Sequence, residues 1–525
     1  MPPRRPAALL AVAFSTLVVA TPLARASAPA IGSPTSARSA TLVTAGQPVD
    51  VSLSAATAGE GVLDLTVASP GADWSAGSAQ ASVLEVDVDG AKATDLDVPT
   101  ADPTARRVQL GTVAAGVHAV RVLLSPSSPR ASVTVADPVA SLSTDRALAY
   151  SPVLYGRTVA SLGPATQNAY DDAPLLSWHD ASVPAPGQTR YDYSVIWTNE
   201  DEGTGSPDLM GRWGRTVDIE LAYSVTLLDA THTVLSETFQ GPNHVTMPFR
   251  GRHSGTHPLL QTCTGNNNFC DDDTAQEGST AAAPVGGPLV YLMTYDETIP
   301  AGRARESLLD RHPWIYGVMA AEQRREGRVS TAVCVPAASD TVHVCDQRRY
   351  LYLEVMKSTG EPKDPTGTEQ PVGVSLDVVL RDGRVFTSDR GILGRTAVRD
   401  VPINEAVELP ADTTEGDVVE VRAVRQSTET TLDPQSPVTV TALNKGLFLD
   451  DAYDPRPSFA TSTGSWTLTV AAPQATIWRR AAVTPPAALP EAGAPALLLV
   501  LAAGAGALVL RRRRRSAHPP HDRCA

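Results

Sequence analysis

Lysine is nearly missing from this chain. It occurs only at positions 92, 357, 363 and 445, arginine supplies the rest of the 43 basic residues, and 57 acidic residues outnumber them to leave a net charge of -14 and a pI near 5.2. That balance speaks against nucleic acid or an anionic membrane surface as a partner, since either calls for a basic patch. A Gly-x-Ser-x-Gly turn is absent, which excludes the nucleophile elbow of α/β-hydrolases, and so is His-Glu-x-x-His, which excludes the zinc-protease helix. No two cysteines have the close spacing of a zinc knuckle, neither acidic run fits the twelve-residue EF-hand loop, and no period qualifies as a repeat.

What is present starts at the two ends. Arg4 and Arg5 precede a mostly apolar stretch over residues 7–20 and the small-x-small site Ala24-Arg25-Ala26, which together read as a secretory signal peptide over residues 1–26. Near the other end, residues 494–510 are apolar and uncharged and residues 511–515 are all arginine. At about 1.5 Å per residue this span reaches roughly 26 Å, just sufficient for a hydrocarbon core of about 30 Å. The arginines hold that flank in the cytoplasm. Everything before Leu489 is then expected on the outer side.

Leu489-Pro490-Glu491-Ala492-Gly493 directly precedes the span. Pentapeptide, hydrophobic stretch and basic tail in this order resemble the sorting signal of Gram-positive LPxTG-type surface proteins. Leu489, Pro490 and Gly493 match that pattern, and Ala492 stands where the family has threonine. The resemblance implies a sortase-type transpeptidase that cuts between Ala492 and Gly493 and joins the new carboxyl end to the cell wall. It covers only residues 489–525. An uncleaved tail anchor is the alternative.

Between the ends the chain is long enough for about three domains. Residues 35–142 alternate apolar and polar side chains in short runs, as in Leu84, Val86 and Val88 against Glu85, Asp87 and Asp89, and predict an antiparallel β-sandwich. Residues 145–360 hold all the tyrosines but Tyr453, and Cys263, Cys270, Cys334 and Cys345. They predict a larger, mainly β central domain, with Val217, Ile219, Leu221, Tyr223 and Val225 on one face of a strand and a helix near residues 318–326 stopped by Gly327. Residues 371–480 predict a second sandwich, and residues 481–488, rich in Ala and Pro, a short tether. The fold class is therefore mainly β, multi-domain, with a signal peptide and a C-terminal transmembrane helix. Outside the cell the four cysteines favour disulfides; three connectivities exist, of which the local pairs Cys263 with Cys270 and Cys334 with Cys345 close turn-rich loops.

Four constellations carry chemistry. His244, His253 and His257 followed by Asp271, Asp272 and Asp273 offer imidazole and carboxylate ligands for a metal, against ordinary surface-loop histidines. The acidic runs at residues 199–202 and 271–273 suit calcium, against solvated turns. Asp218 and Glu220 lie on one side of a predicted strand, about 7 Å apart, a spacing open to inverting glycoside hydrolysis, against the wet face of a sheet paired with Arg212 and Arg215. Tyr193, Trp197 and Trp213, flanked by Arg and Asp, form a candidate carbohydrate platform, against core packing. The expectation is an exported envelope protein that displays a glycan- or protein-binding central domain. A secreted carbohydrate-active hydrolase and a structural wall protein are the alternatives.

Overall fold

Short runs of Val, Leu, Ile and Thr separated by Gly, Asp and Pro turns give strands over 48% of the chain and helices over 10%, so the protein is mainly β. The computed structural model describes residues 40–481 apart from 77–80, 158–171, 201–203, 331–338, 361–370, 401 and 429–430. The expected signal peptide, the sorting-like pentapeptide and the apolar residues 494–510 lie outside the described residues. Among the described residues no helix is long and apolar enough to cross a membrane.

The first sandwich faces one four-stranded sheet, ordered Thr41–Thr44, Ser132–Leu142, Gly59–Ala68, Thr104–Val113, against another, ordered Val49–Ala55, Gly116–Leu124, Ser82–Val88, Ala91–Val98. Its core is aliphatic, built from residues such as Leu63, Val86, Val120 and Val133. The last sandwich repeats the plan. Pro402–Glu408, Tyr350–Thr359, Val438–Leu447 and Ser462–Leu468 face Val385–Thr387, Gly373–Leu380, Val418–Gln426 and Gln474–Arg479.

Between them lies an antiparallel meander of Pro174–Ser182, Gln188–Trp197, Asp218–Leu228, Thr233–Gly241 and Val245–Pro248. A smaller sheet of His253–Ser254, His257–Thr262, Val153–Tyr155 and Val290–Tyr291 joins it, with Phe269–Cys270 paired to His257–Thr262. One pairing there, His257–Thr262 with Val153–Tyr155, is parallel.

The strand Tyr350–Thr359 shows how the parts join. Leu351, Leu353 and Val355 face the core of the last sandwich, while Tyr350 and Tyr352 turn to a second core shared with Trp74, Trp178, Ile219 and Tyr316. Side chains from residues 74 to 449 meet in that second core, so the chain up to Arg479 packs as one compact unit.

The helix Trp314–Arg325 starts one turn before the expected residues and ends at Gly327, whose φ of +69° supplies the left-handed stop. A second helix, Ser206–Trp213, escaped the sequence reading although it has both terminal signals, Pro207 in its first turn and Gly214 in the left-handed conformation after its end. Glycine is required there twice over, since a Cβ on Gly214 would meet Asn404 at 2.5 Å.

Candidate functional site

The site begins with one extra residue. Along the pair Gln188–Trp197 and Asp218–Leu228, Tyr193 lies opposite Tyr223 but Ser194 lies opposite Leu221, leaving Ala222 as a bulge. A bulge inverts the facing of everything beyond it relative to strict alternation. Val217 and Ile219 therefore face the shared core, while Tyr223, Val225 and Leu227 face the core of the meander, and Asp218 and Glu220 turn inward on the same side as Trp197 and Val195. The expectation that residues 217–225 keep one apolar face is corrected. Asp218 and Glu220 are buried, not on a wet face.

Around these two carboxylates the chain gathers polar groups from distant positions. Asn199 and Glu200 follow the strand Gln188–Trp197 and are buried. The disulfide Cys263–Cys270 forms as expected and closes a loop whose asparagines point inward. Asn267, left-handed at φ +53°, donates from Nδ2 to Asp172 and, at 3.2 Å, to Asp218 Oδ2. Arg157 pins the loop from beneath, donating to the Gly265 carbonyl at 2.7 Å and pairing with Asp172 at 3.2 Å. Cys334, the proposed partner of Cys345, lies outside the described residues.

His244 closes the outer side. It and Asn243 both have left-handed backbones, φ +58° and +60°, a strained pair for non-glycine residues. Its Nδ1 lies 3.6 Å from Glu220 Oε2 and its Nε2 lies 3.0 Å from Asn266 Nδ2, while Gln240 donates to Glu220. The hydrogen bond to Glu220 raises the His244 pKa against the effect of burial. A protonated ring donates from both nitrogens, and exchanging the two ends of the Asn266 amide presents it with Oδ1. That atom and Oδ1 of Asn267 are buried without a hydrogen-bond partner among the described residues.

Burial and the charges of Glu220 and Glu200 push the Asp218 pKa well up, and burial raises that of Glu200, to which Asp218 is hydrogen-bonded. Two carboxyls this close share a proton rather than ionise together.

Arginines supply the opposite wall. Glu306 is 3.3 Å from Arg215 and 3.2 Å from Arg305, which hold its pKa down although burial opposes them. Arg399 comes from the last sandwich. Its side chain reaches solvent and makes no ion pair or hydrogen bond among the described residues, and repulsion from Arg305 outweighs the pull of Glu306 and Glu220 to lower its pKa to about 10. Arg399, Arg212, Trp213, Leu393, Thr396 and Ile403 line a groove of about 420 Å³, whose walls include none of Asp218, Glu200, Glu220 and Glu306. Trp213 is half-buried, its ring 5.1 Å from the Arg215 guanidinium.

The remaining candidates separate. Tyr193 and Trp197 are fully buried in the meander core, where Tyr193 donates to the Ala147 carbonyl at 2.7 Å, so only Trp213 of the proposed platform stands at a groove. His253 pairs with Glu237 at 2.7 Å; His257 contacts the Ser151 carbonyl at 2.9 Å and Glu60 at 3.4 Å. Asp271 accepts from the Arg250 amide and from Thr274, Asp272 pairs with Arg252, and Asp273 is exposed. Of the six metal candidates only His244 joins the carboxylates, because the bends at residues 243–244 and 255 point the three rings to different neighbours. Among the described residues no group of three or more His, Cys, Asp or Glu is arranged to hold a metal ion.

Glu200 was read from the sequence only within an acidic run suited to calcium, and Asn267, Arg305, Glu306 and Arg399 were not named as site residues. The signal for two of them was visible in the polar runs 199–202 and 264–268, which carry too little apolar character for core strands yet flank buried ones. Compared with known proteins, the chain matches no family model and no curated sequence.

Proposed function

We propose that the protein is exported, is held at the envelope of a Gram-positive cell by its C-terminal segment, and binds an anionic glycan in the Trp213 groove. One observation carries the binding reading. Arg399 and Arg212 line the groove beside Trp213, neither with an ion pair among the described residues, Arg399 feeling only the more distant pull of Glu306 and Glu220. Two guanidinium groups beside a tryptophan ring, in a groove lined by no acid, suit a carboxylated sugar, whose ring has an apolar face and whose acid accepts a forked hydrogen bond. The overall negative charge acts at long range and is screened within about 10 Å at ordinary salt, whereas the groove acts at contact. The disulfide Cys263–Cys270 agrees with an oxidising compartment, and the leader and sorting-like segment support export and anchoring.

The test uses the full-length chain in detergent micelles with polygalacturonate as probe and neutral pullulan as control, followed by calorimetry. The expected result is binding of polygalacturonate alone, weakened about tenfold or more by Arg399→Gln and by added salt. Equal binding of both polymers, or none, refutes the reading.

A further inference from the structure

We infer that a cavity between the first sandwich and the central meander is a second binding site, which takes one ring of a small neutral sugar. The cavity has a volume of about 290 Å³, near the lower end of the range of small-molecule sites, and shares no wall residue with the Trp213 groove. Distant parts of the chain build it: Asp95 and Asp97 near the end of Ala91–Val98, Thr294 just after Val290–Tyr291, and Trp314 at the start of Trp314–Arg325. Arg106, buried in the same wall, ties these parts together. Its guanidinium donates to the Asp97 carbonyl at 3.1 Å and to the Leu175 carbonyl at 2.8 Å, and lies 5.0 Å from the centre of the Trp314 ring. Walls fixed to one another in this way spare a ligand the cost of ordering them.

Unused hydrogen-bonding capacity points to the ligand. Asp95 Oδ1, Asp97 Oδ1, Thr294 Oγ1 and Trp314 Nε1 are buried without a partner among the described residues, and all four residues line the cavity. Asp95, Asp97 and Thr294 are each more than nine-tenths buried. Polar atoms left unpaired in an interior cost stability, and a ligand that pairs with them removes that cost. The set also defines the chemistry. The carboxylate oxygens accept, the hydroxyl does either, and the indole N–H only donates, so the ligand brings both donors and acceptors; an ammonium, with donors alone, leaves Trp314 unpaired. Charges along the wall are already matched: Arg107 pairs with Asp64 and, at 2.6 Å, with Asp296; Lys92 pairs with Asp95 at 2.7 Å; Arg311 and His312 each lie 2.9 Å from Glu297. Val108, Leu175, Leu292 and Met293 complete the wall with apolar surface. A sugar ring, with hydroxyls at its edge, C–H groups on its faces and no net charge, answers all three features.

The experiment titrates glucose, galactose and mannose, and separately putrescine and pullulan, into the full-length chain in zwitterionic detergent micelles, followed by calorimetry and tryptophan fluorescence. The expected result is that at least one of the three sugars binds with a dissociation constant of about 1 mM or tighter. Putrescine should not bind, and pullulan should not compete, because the cavity holds a single ring. Thr294→Val and Trp314→Phe should each weaken sugar binding about tenfold with unchanged circular dichroism, and Trp314→Phe should also remove the fluorescence change; if Trp314→Phe does not fold, Thr294→Val decides. Arg399→Gln should leave sugar binding unchanged, which separates this site from the Trp213 groove. The assignment is overturned if none of the sugars binds, if both variants bind them as before, if putrescine binds in their place, if pullulan competes, or if Arg399→Gln weakens sugar binding. If sugar binds as expected and polygalacturonate does not, the groove reading alone fails.

Discussion

Ser82–Val88 in the first sandwich and Asp218–Leu228 in the central meander carry the same kind of alternation, acids at every second position among aliphatics. In Ser82–Val88 the pairing with its neighbour Gly116–Leu124 runs without interruption, Leu84 and Val86 fill the core, and Glu85 and Asp87 stay half-buried at the rim, Glu85 paired with Lys92. In Asp218–Leu228 one bulged residue places the acids on the inner face with tyrosine and valine. The difference is a single residue of register. It separates a solvated face from an interior polar cluster, and such a cluster persists only where surrounding groups satisfy it.

Removing that support should break the comparison most strongly. Arg157→Met leaves Asp172 buried beside Asn267 without its cation, and is expected to cost about 3–5 kcal/mol by urea denaturation; Arg121→Met in the first sandwich, an exposed pair with Asp50, should cost less than about 1 kcal/mol.

The first sandwich has buried acids only where it meets the central sheet. Asp95 accepts from the Val290 amide and Asp97 from the Tyr291 hydroxyl, and burial raises their pKa values to about 6 and about 7. Both pKa values exceed those of the unfolded chain, so the native state binds more protons. The stability they contribute is complete below pH about 4 and is lost as pH rises through 6 and 7. Stability against heat should fall as pH rises from about 4 to about 7 and then level off, by at most on the order of 4 kcal/mol for Asp97, and Asp97→Asn should flatten that decline.

Asp218→Asn removes like-charge repulsion and keeps a donor toward Glu200. At pH 8 it should gain about 1 kcal/mol, whereas Asp87→Asn should stay within about 0.5 kcal/mol. The smallest effect on stability belongs to Arg399→Gln, an exposed side chain with no ion pair among the described residues: unfolding should be unchanged within about 0.5 kcal/mol while polygalacturonate binding falls.

The β class, the helix before Gly327 and the Cys263–Cys270 loop were legible because each rests on local pattern, alternation, a helix run with a stop, and turn residues between cysteines. The inward turn of Asp218 and Glu220 was not. Alternation predicts facing only while the register is unbroken, and nothing in Leu221-Ala222-Tyr223 announces a bulge. Tyr193 and Trp197 were placed on one face correctly, but a sheet covered on both sides gives no outer face for a platform. Arg399 was invisible for another reason: it meets Trp213 across the groove from more than 170 residues further along the chain, and tertiary packing alone brings it there.

The most direct test is a carboxyl ¹³C titration, with Asp218→Asn and Glu200→Gln used for assignment. The account predicts that Asp218 keeps its proton well above the ordinary carboxylate range and that Glu200→Gln alters its titration. If both carboxyls instead titrate independently below pH 5, like solvated side chains, Asp218 and Glu200 do not share a buried proton and the inward-facing cluster is refuted.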